Sequence, residues 1–141
     1  MPEQPVPGMD GVTALTVHKR RVTWADVDPS GAWHFTAALT YVEEAEIELL
    51  RGAGALDIIN SHLPRIYVRA DFKRPAYFDD EVTVQLAVGR LGVSSVHYQF
   101  ALTANGTLLA VGSMGAAFTD GLGVPQPLPD TVRAALSRRE L

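Results

Sequence analysis

The sequence predicts an α+β fold in which one long helix packs on a five-stranded antiparallel sheet. Three patterns support this prediction: one uninterrupted amphipathic helix at residues 35–51, four strand patterns after it and one strand pattern before it. A helix that covers one face of such a sheet is a two-layer arrangement. The chain has 141 residues, which is the size of a single domain.

The N-terminal part divides into a tail and a strand. Residues 1–11 (MPEQPVPGMDG) are rich in proline and glycine, which predicts a flexible tail, and residues 12–141 then form the single domain. Residues 12–24 contain threonine, valine and tryptophan, which are typical of strands. The tail has no basic start followed by an apolar run, so it does not have the pattern of a signal peptide.

The long helix is predicted between a turn and a pair of glycines. Asp28-Pro29-Ser30-Gly31 has aspartate, proline and glycine at the turn positions that they favour. Residues 35–51 contain neither proline nor glycine, and glycine follows at positions 52 and 54. The apolar side chains predicted to share one helix face are Phe35, Ala38, Leu39, Val42, Ala45, Leu49 and Leu50.

Four strand patterns follow, at residues 66–73, 82–88, 96–102 and 108–118. Residues 89–92 and the Asn105-Gly106 pair predict hairpin turns, which make neighbouring strands antiparallel. An open face or edge of this sheet needs shielding, which favours a dimer. Asp130 is predicted to begin a short C-terminal helix.

Composition excludes several classes of function. Hydrophobic residues make up 47% and charged residues 20%, as in globular domains. The chain has no cysteine, which excludes disulfides, cysteine nucleophiles and thiolate metal sites. The net charge is −4 and no basic stripe is present, so nucleic acid is not an expected partner. No apolar run approaches the ~20 residues of a membrane span, so no membrane association is expected and a cytoplasmic location follows by default.

The remaining motif that could take part in a reaction is the segment of residues 26–31 before the helix. The four histidines lack metal-ligand spacing, and no nucleophile elbow, phosphate-binding glycine loop or dinucleotide fingerprint is present, so neither metal nor cofactor is expected. Helix N-terminal amides stabilise a developing oxyanion, and a carboxylate just before them could attack a carbonyl or activate water. On spacing alone, local turn bonding is the better explanation for Asp26 and Asp28.

Residues 22–31 (VTWADVDPSG), with Trp33, His34, Phe35 and the acidic helix residues that follow, resemble the 4-hydroxybenzoyl-CoA thioesterase family of hot-dog proteins. The family pattern is a strand ending in an aromatic residue, then Asp-x-Asp-x-x-Gly, then an aromatic-rich helix start. Residues 71–82 (DFKRPAYFDDEV) also match it, and the resemblance covers about residues 12–120. It implies a hot-dog fold, with the sheet wrapped around the helix, and sites formed between subunits of a homodimer or homotetramer.

The resemblance implies hydrolysis of an acyl-CoA or acyl-carrier-protein thioester to free acid and thiol, with coenzyme A present only as part of the substrate. Asp28 would be the base or nucleophile, and an amide near His34 and Phe35 would polarise the carbonyl. His34-Phe35 stands where relatives often carry Tyr-His, and Ala38 stands where a bulky aromatic is frequent. Both differences should reshape the acyl pocket, so 4-hydroxybenzoyl itself is not the expected acyl group.

Two helix carboxylates and one histidine are further candidates. Glu46 falls inside the apolar arc of the helix, so it needs a partner or a raised pKa, and an ion pair with an arginine is a better explanation than catalysis. Glu43 lies at the edge of the arc, matches the family's acidic helix position and could orient the site. His34 is equally well explained as a local cap or as a donor to the thioester.

The phosphates of coenzyme A favour arginine and lysine. Four cations are predicted on the polar side of one strand, namely Arg65, Arg69, Lys73 and Arg74, and Arg90 is predicted on a turn. A solvated strand face explains any single one of them more simply. With a carrier-protein donor, the same patch would dock an acidic partner. The full set of substrate-binding candidates is Trp33, Ala38, Glu46, Arg65, Arg69, Lys73 and Arg90, with Arg74 adjacent.

Two alternatives stay open. A hot-dog hydratase or dehydratase would use Asp28 and His34, but the Asn-Pro-x-His pattern of such enzymes is absent. A non-catalytic binder would hold an acyl group in the same tunnel. The surroundings of Asp28 discriminate between hydrolysis and binding. An open carboxylate beside free helix amides favours hydrolysis, and a carboxylate buried in turn hydrogen bonds favours binding.

Overall fold

A computed structural model describes residues 16–59 and 63–137. The helices and strands, in chain order, are β1 (Thr16–Arg21), α1 (Phe35–Gly52), β2 (Arg65–Phe72), β3 (Glu81–Leu91), β4 (Ser95–Ala104), β5 (Thr107–Ala117) and α2 (Asp130–Ser137). Short 3-10 helices occupy Trp24–Asp26 and Leu56–Ile59. The predicted tail, residues 1–11, lies outside the described residues.

The five strands form one antiparallel sheet in the order β1-β3-β4-β5-β2, which confirms the predicted sheet. Asn105 and Gly106 both have positive φ, as the predicted tight hairpin between β4 and β5 requires. The turn predicted at residues 89–92 is wrong. A bulge between Val88 and Arg90 lets β3 continue to Leu91, and the chain reverses at residues 92–94.

β1 is shorter than predicted. It ends at Arg21, because Trp24–Asp26 already forms a 3-10 turn, and residues 12–15 lie outside the described part of the chain. Its side chains alternate, with His18 and Arg20 half-buried towards α1 and Lys19 exposed. The strand therefore places a cation under the helix.

α1 lies against one face of the sheet and has a wider buried surface than its predicted arc. Ala37 and Tyr41 are outside that arc but are buried, since β1 covers this side of the helix. Phe35, predicted on the buried face, is 65% exposed because it is the first helical residue. The inner face of the sheet packs on α1 through buried apolar side chains at Val82, Val84, Leu86, Tyr98, Phe100, Leu102 and Met114.

The edge strand β2 is unusually exposed for its composition. Ile66, Val68 and Phe72 are between 43% and 53% exposed. The opposite edge, β1, instead carries consecutive charges at residues 19–21, which discourage pairing with another strand. The two edges of the sheet therefore differ in character. Of the helices in the described part of the chain, none is long and apolar enough to span a membrane.

Candidate active site

A short hairpin of residues 26–34, here called the aspartate loop, joins β1 to α1. The His34 amide donates to the Asp26 carbonyl over 2.8 Å, and the Asp28 amide donates to the Ala32 carbonyl over 2.8 Å. The tip closes where the Gly31 amide donates to the Asp28 carbonyl over 2.9 Å. Gly31 has φ +84°, a conformation that favours glycine, so the Asp-Pro-Ser-Gly turn predicted from sequence is confirmed.

The aspartate loop is also attached to the segment after β2. The Trp33 amide donates to the Ala76 carbonyl over 2.8 Å, and the Phe78 amide donates to the Gly31 carbonyl over 3.0 Å. Both sides of the hairpin are therefore held by backbone hydrogen bonds. The loop is a rigid platform, although it contains no long strand.

Asp28, at the loop tip, is half-buried, and its two carboxylate oxygens have different environments. Oδ1 accepts hydrogen bonds from the Ser30 amide at 2.8 Å and from the Ser30 hydroxyl at 2.5 Å. Oδ2 has no hydrogen-bond partner among residues 16–59 and 63–137. The Ser30 hydrogen bonds lower the pKa of Asp28, so the carboxylate is charged at neutral pH. Turn bonding and an open carboxylate are thus both present.

The start of α1 presents unused donors. His34 is the N-cap residue, with an extended backbone, and its side chain makes no capping hydrogen bond. The His34 amide is taken by Asp26, and the Ala37 amide by the His34 carbonyl. The amides of Phe35 and Thr36 have no acceptor within the described residues, so they are available to an oxyanion.

An aromatic cleft of about 300 Å³ opens beside the helix start. Phe35 and Phe72 meet edge-to-face across 6.3 Å, and the backbone amides of Lys73 and Arg74 both donate to the Leu109 carbonyl. The Lys73 and Arg74 side chains form no ion pair with any described residue. The lining residues are Trp33, Phe35, Phe72, Lys73, Arg74 and Pro75. The cleft therefore combines aromatic walls with two cations that are available to a ligand.

A second, smaller cavity of about 150 Å³, here called the apolar pocket, lies between α1 and the sheet. Arg65 reaches its wall, where the Nη2 atom lies 3.3 Å from Glu43 Oε2 and the Nη1 atom lies 3.2 Å from Glu46 Oε2. Glu46 is 0% exposed, so the predicted ion pair between a buried Glu46 and an arginine is confirmed. The lining residues are Leu39, Val42, Glu43, Arg65, Val68, Phe100 and Met114.

The arginines predicted to share one polar face are separated by the structure. A bulge between Arg65 and Tyr67 pairs Arg65 with the buried Ala116, so Arg65 lies on the helix side rather than the predicted polar side. Arg69 lies on the opposite face, 3.8 Å from Asp71.

Arg90 and Ala38 also lie away from the two cavities. Arg90 is on the same outer face of the sheet as Arg69, where its Nη2 atom lies 3.1 Å from His97 Nε2. His97 is therefore a half-buried residue of the outer face. Ala38 is 1% exposed and belongs to the core. Of the predicted site residues, the structure groups Trp33, Phe35 and Lys73 at the aromatic cleft, and Glu43, Glu46 and Arg65 at the apolar pocket.

Asp26 has the local turn bonds predicted from spacing, which come from Thr23, and two further partners that spacing did not indicate. Burial alone would raise the pKa of Asp26, but hydrogen bonds from Thr23, Tyr41 and Arg20 outweigh it and lower the pKa to about 2. Two of these partners, Tyr41 and Arg20, lie on neighbouring elements. Local turn spacing carries no signal for contacts between separate elements.

Comparisons with known proteins show the family of this chain. Residues 22–136 match the model of the thioesterase-like superfamily. A 1,4-dihydroxy-2-naphthoyl-CoA hydrolase from Acaryochloris marina is 31% identical over 94 residues, which cover 62% of this chain and 68% of the relative. The prediction of a thioester hydrolase is confirmed at the level of the family.

Solved structures show the same fold. A thioesterase from Thermus thermophilus, complexed with coenzyme A and zinc, has a TM-score of 0.81 and 29% identity, over 94% of this chain and 97% of that chain. A 1,4-dihydroxy-2-naphthoyl-CoA thioesterase from Synechocystis has a TM-score of 0.78 at 22% identity, over 86% and 94% of the two chains, and supports the fold alone. The predicted hot-dog fold is confirmed, and the chain belongs to the thioesterase-like superfamily.

Proposed function

We propose that this protein hydrolyses an acyl-CoA thioester to the free acid and coenzyme A, with Asp28 as the catalytic carboxylate. The observation that carries this proposal is the aspartate loop, which presents a charged carboxylate with one free oxygen at its tip and leads into the two free amides at the start of α1. A carboxylate and an oxyanion site held by one rigid loop are the two groups that acyl transfer to water requires.

Asp28 Oδ2 could act in either of two ways. As a base, it takes a proton from a water molecule whose oxygen attacks the thioester carbonyl carbon. As a nucleophile, it attacks that carbon itself, and water then hydrolyses the resulting anhydride. In both routes the amides of Phe35 and Thr36 stabilise the oxyanion, the C–S bond breaks, and one water is consumed to give acid and thiol.

The aromatic cleft is the proposed binding site for coenzyme A. Lys73 and Arg74 are cations without an ion-pair partner in the described part of the chain, and they lie beside a helix N-terminus. This combination favours phosphate groups. The Thermus thermophilus relative solved with coenzyme A supports this class of ligand over a carrier protein. The apolar pocket is then the proposed acyl site, with Arg65 and Glu43 at its wall.

The acyl group is open to direct test. The curated relative is named for 1,4-dihydroxy-2-naphthoyl-CoA, so this thioester is the first candidate substrate. The narrower resemblance to 4-hydroxybenzoyl-CoA thioesterases stays a prediction, as does the cytoplasmic location. Expected roles of His34 and Glu43 in orienting the thioester also stay predictions.

We further propose that the functional unit is a homodimer that pairs through β2. This edge strand exposes Ile66, Val68 and Phe72 and leaves one row of backbone groups unpaired, whereas the β1 edge is highly charged. A second copy of the chain offers the complementary edge. Such a dimer would also cover the apolar pocket, because Val68 lines it.

The test is thiol release from acetyl-, hexanoyl-, benzoyl- and 1,4-dihydroxy-2-naphthoyl-CoA by wild type and Asp28→Asn. Asparagine keeps the shape of the side chain but removes its charge and basicity, so we expect a loss of about a hundredfold or more in kcat. Asp130→Asn, which changes an exposed aspartate at the start of α2, is the matched control and should be unaffected.

Because Ser30 lowers the pKa of Asp28, the wild-type rate should also fall only once the pH drops below the range in which an ordinary aspartate takes up its proton. Equal rates for wild type and Asp28→Asn would remove Asp28 from the chemistry and direct attention to Glu43 and Glu46. No turnover of any of the four thioesters would favour a carrier-bound substrate or a non-catalytic binder.

A further inference from the structure

The geometry points to Asp26 as a positioning residue for the hydrolysis proposed above. We infer that Asp26, held by Tyr41 and Arg20, fixes the aspartate loop and thereby the position of the Asp28 carboxylate relative to the free amides of α1. The inference rests on the proposed function for its catalytic consequence, and on the contacts of Asp26 for its structural part.

Asp26 Oδ2 is a shared acceptor for four donors. Tyr41 donates its hydroxyl over 2.8 Å, Arg20 donates Nη1 over 2.9 Å, and Thr23 donates its hydroxyl over 2.8 Å and its amide over 2.9 Å. Tyr41 is 0% exposed, so its ring has no room to follow a moving loop. The carboxylate is therefore held from β1, from α1 and from its own turn at once.

Arg20 strengthens this arrangement. Its guanidinium carbon lies 4.6 Å from the centroid of the Tyr41 ring, and its Nε atom lies 3.5 Å from Glu44 Oε1. His18 Nε2 lies 3.2 Å from the same Glu44 oxygen. Among charged or titratable groups, Arg20 on β1 and Tyr41 on α1 contact Asp26 directly, Glu44 on α1 contacts Arg20, and His18 on β1 contacts Glu44. Together with Asp26 we call them the loop anchor.

The loop anchor controls both halves of the proposed site. The Asp26 carbonyl accepts the His34 amide, so Asp26 touches the beginning and the end of the aspartate loop. Asp28 follows Asp26 by two residues in the chain. Phe35, whose backbone amide is the first free one, follows His34 directly. A displacement of Asp26 would therefore move the carboxylate and the oxyanion site, and a misplacement of about 1 Å can cost about a hundredfold in rate.

Two variants separate positioning from folding. Tyr41→Phe removes a single oxygen and keeps the ring under Arg20, and Asp26→Asn keeps the side-chain shape but removes the charge. Tyr67→Phe is the matched control, since it also removes one tyrosine hydroxyl with a partner at 2.8 Å, in this case His97 Nδ1 on the outer face of the sheet.

The first measurement needs no substrate. The chain has two tryptophans, Trp24 in the 3-10 turn and Trp33 in the aspartate loop, so fluorescence excited selectively at tryptophan reports on this region alone. Trp33 is 6% exposed. We expect Tyr41→Phe and Asp26→Asn to show red-shifted emission and stronger acrylamide quenching at a temperature where circular dichroism shows them fully folded. Tyr67→Phe should match wild type.

The second measurement is steady-state kinetics with the thioester that wild type hydrolyses best. We expect kcat to fall about tenfold or more in Tyr41→Phe and Asp26→Asn, with KM within about twofold, because the proposed phosphate ligands Lys73 and Arg74 are held by the Leu109 carbonyl and not by the loop anchor. An unchanged kcat, a loss confined to KM, or an equal loss in Tyr67→Phe would overturn the inference. Unchanged quenching would overturn it even if wild type hydrolysed none of the thioesters, so its failure is distinguishable from failure of the proposed function.

Discussion

At the scale of single residues, Asp26 and Asp28 differ in the groups that donate hydrogen bonds to their carboxylates. Both side chains are half-buried, but Asp28 accepts hydrogen bonds only from Ser30 in its own turn, whereas one oxygen of Asp26 accepts four, two of them from neighbouring elements. Hydrogen bonds from Thr23, Tyr41 and Arg20 stabilise the charged form of Asp26 and make it a weak base. Asp28 therefore stays the proposed reacting carboxylate, and Asp26 the proposed positioning residue.

Arg65 is the residue for which a stability prediction is sharpest. Arg65→Met leaves the buried carboxyl group of Glu46 without its cation, so we expect the free energy of unfolding to fall by about 3–5 kcal/mol. Urea unfolding followed by circular dichroism measures this loss. Arg69→Met, on the same strand with a side chain 76% exposed, is the matched control and should change stability by less than about 0.5 kcal/mol.

The double variant Arg65→Met with Glu46→Met removes both charges and should recover most of the lost stability, because a buried pair can be replaced by apolar side chains of similar size. A single Arg65→Met variant as stable as wild type would show that the pair contributes nothing and that Glu46 is solvated in solution.

At the scale of elements, the aspartate loop depends on one backbone conformation. Gly31 has φ +84°, and no atom lies within 4 Å of the position that a Cβ would occupy. The cost of Gly31→Ala therefore comes from the backbone alone, and we expect a loss of about 1–2 kcal/mol, measured by thermal or urea unfolding. Gly121→Ala has equally open space without a positive φ, so it should be neutral or slightly stabilising. Equal effects of the two variants would contradict this account.

The strands show where pattern and structure part. Alternation predicted β2, β3 and β4, and the alternating buried residues Val82, Val84 and Leu86 confirm β3. Alternation assumes an uninterrupted ladder, and the bulges in β2 and β3 break that assumption. One extra residue in a strand shifts its alternation, so side chains on the two sides of a bulge change faces relative to each other. This shift is why Arg65, which precedes the bulge in β2, faces the helix. The register of a strand depends on its partner, and its own sequence does not encode it.

At the scale of the whole molecule, the proposed homodimer makes a direct prediction. The chain has a mass of 15.2 kDa, so light scattering of wild type should give about twice that value. Replacing Ile66 and Val68 with lysine puts two charges on the exposed β2 edge, and we expect this double variant to be monomeric. Val93→Lys, at a 74% exposed site in the β3–β4 turn, should leave the mass unchanged. A wild type that remains monomeric at micromolar concentration would refute pairing through β2.

The sequence by itself determined those features that depend on residue spacing along one segment. The Asp-Pro-Ser-Gly turn, the helix that follows it, the Asn105-Gly106 hairpin and the buried position of Glu46 all follow from local turn chemistry and periodicity. The motif around Asp28 was specific enough to indicate a hot-dog thioesterase, and the comparisons confirmed the thioesterase-like superfamily.

Only the tertiary structure decided which side chains meet. It brought Lys73 and Arg74 to the helix start, moved Arg65 under α1, placed Arg69 and Arg90 on the other face, and joined Asp26 to Tyr41 and Arg20. These contacts join residues on different elements, and they depend on strand register, bulges and the seating of the helix on the sheet. Such quantities arise from packing between elements, so no periodicity within one element can reveal them.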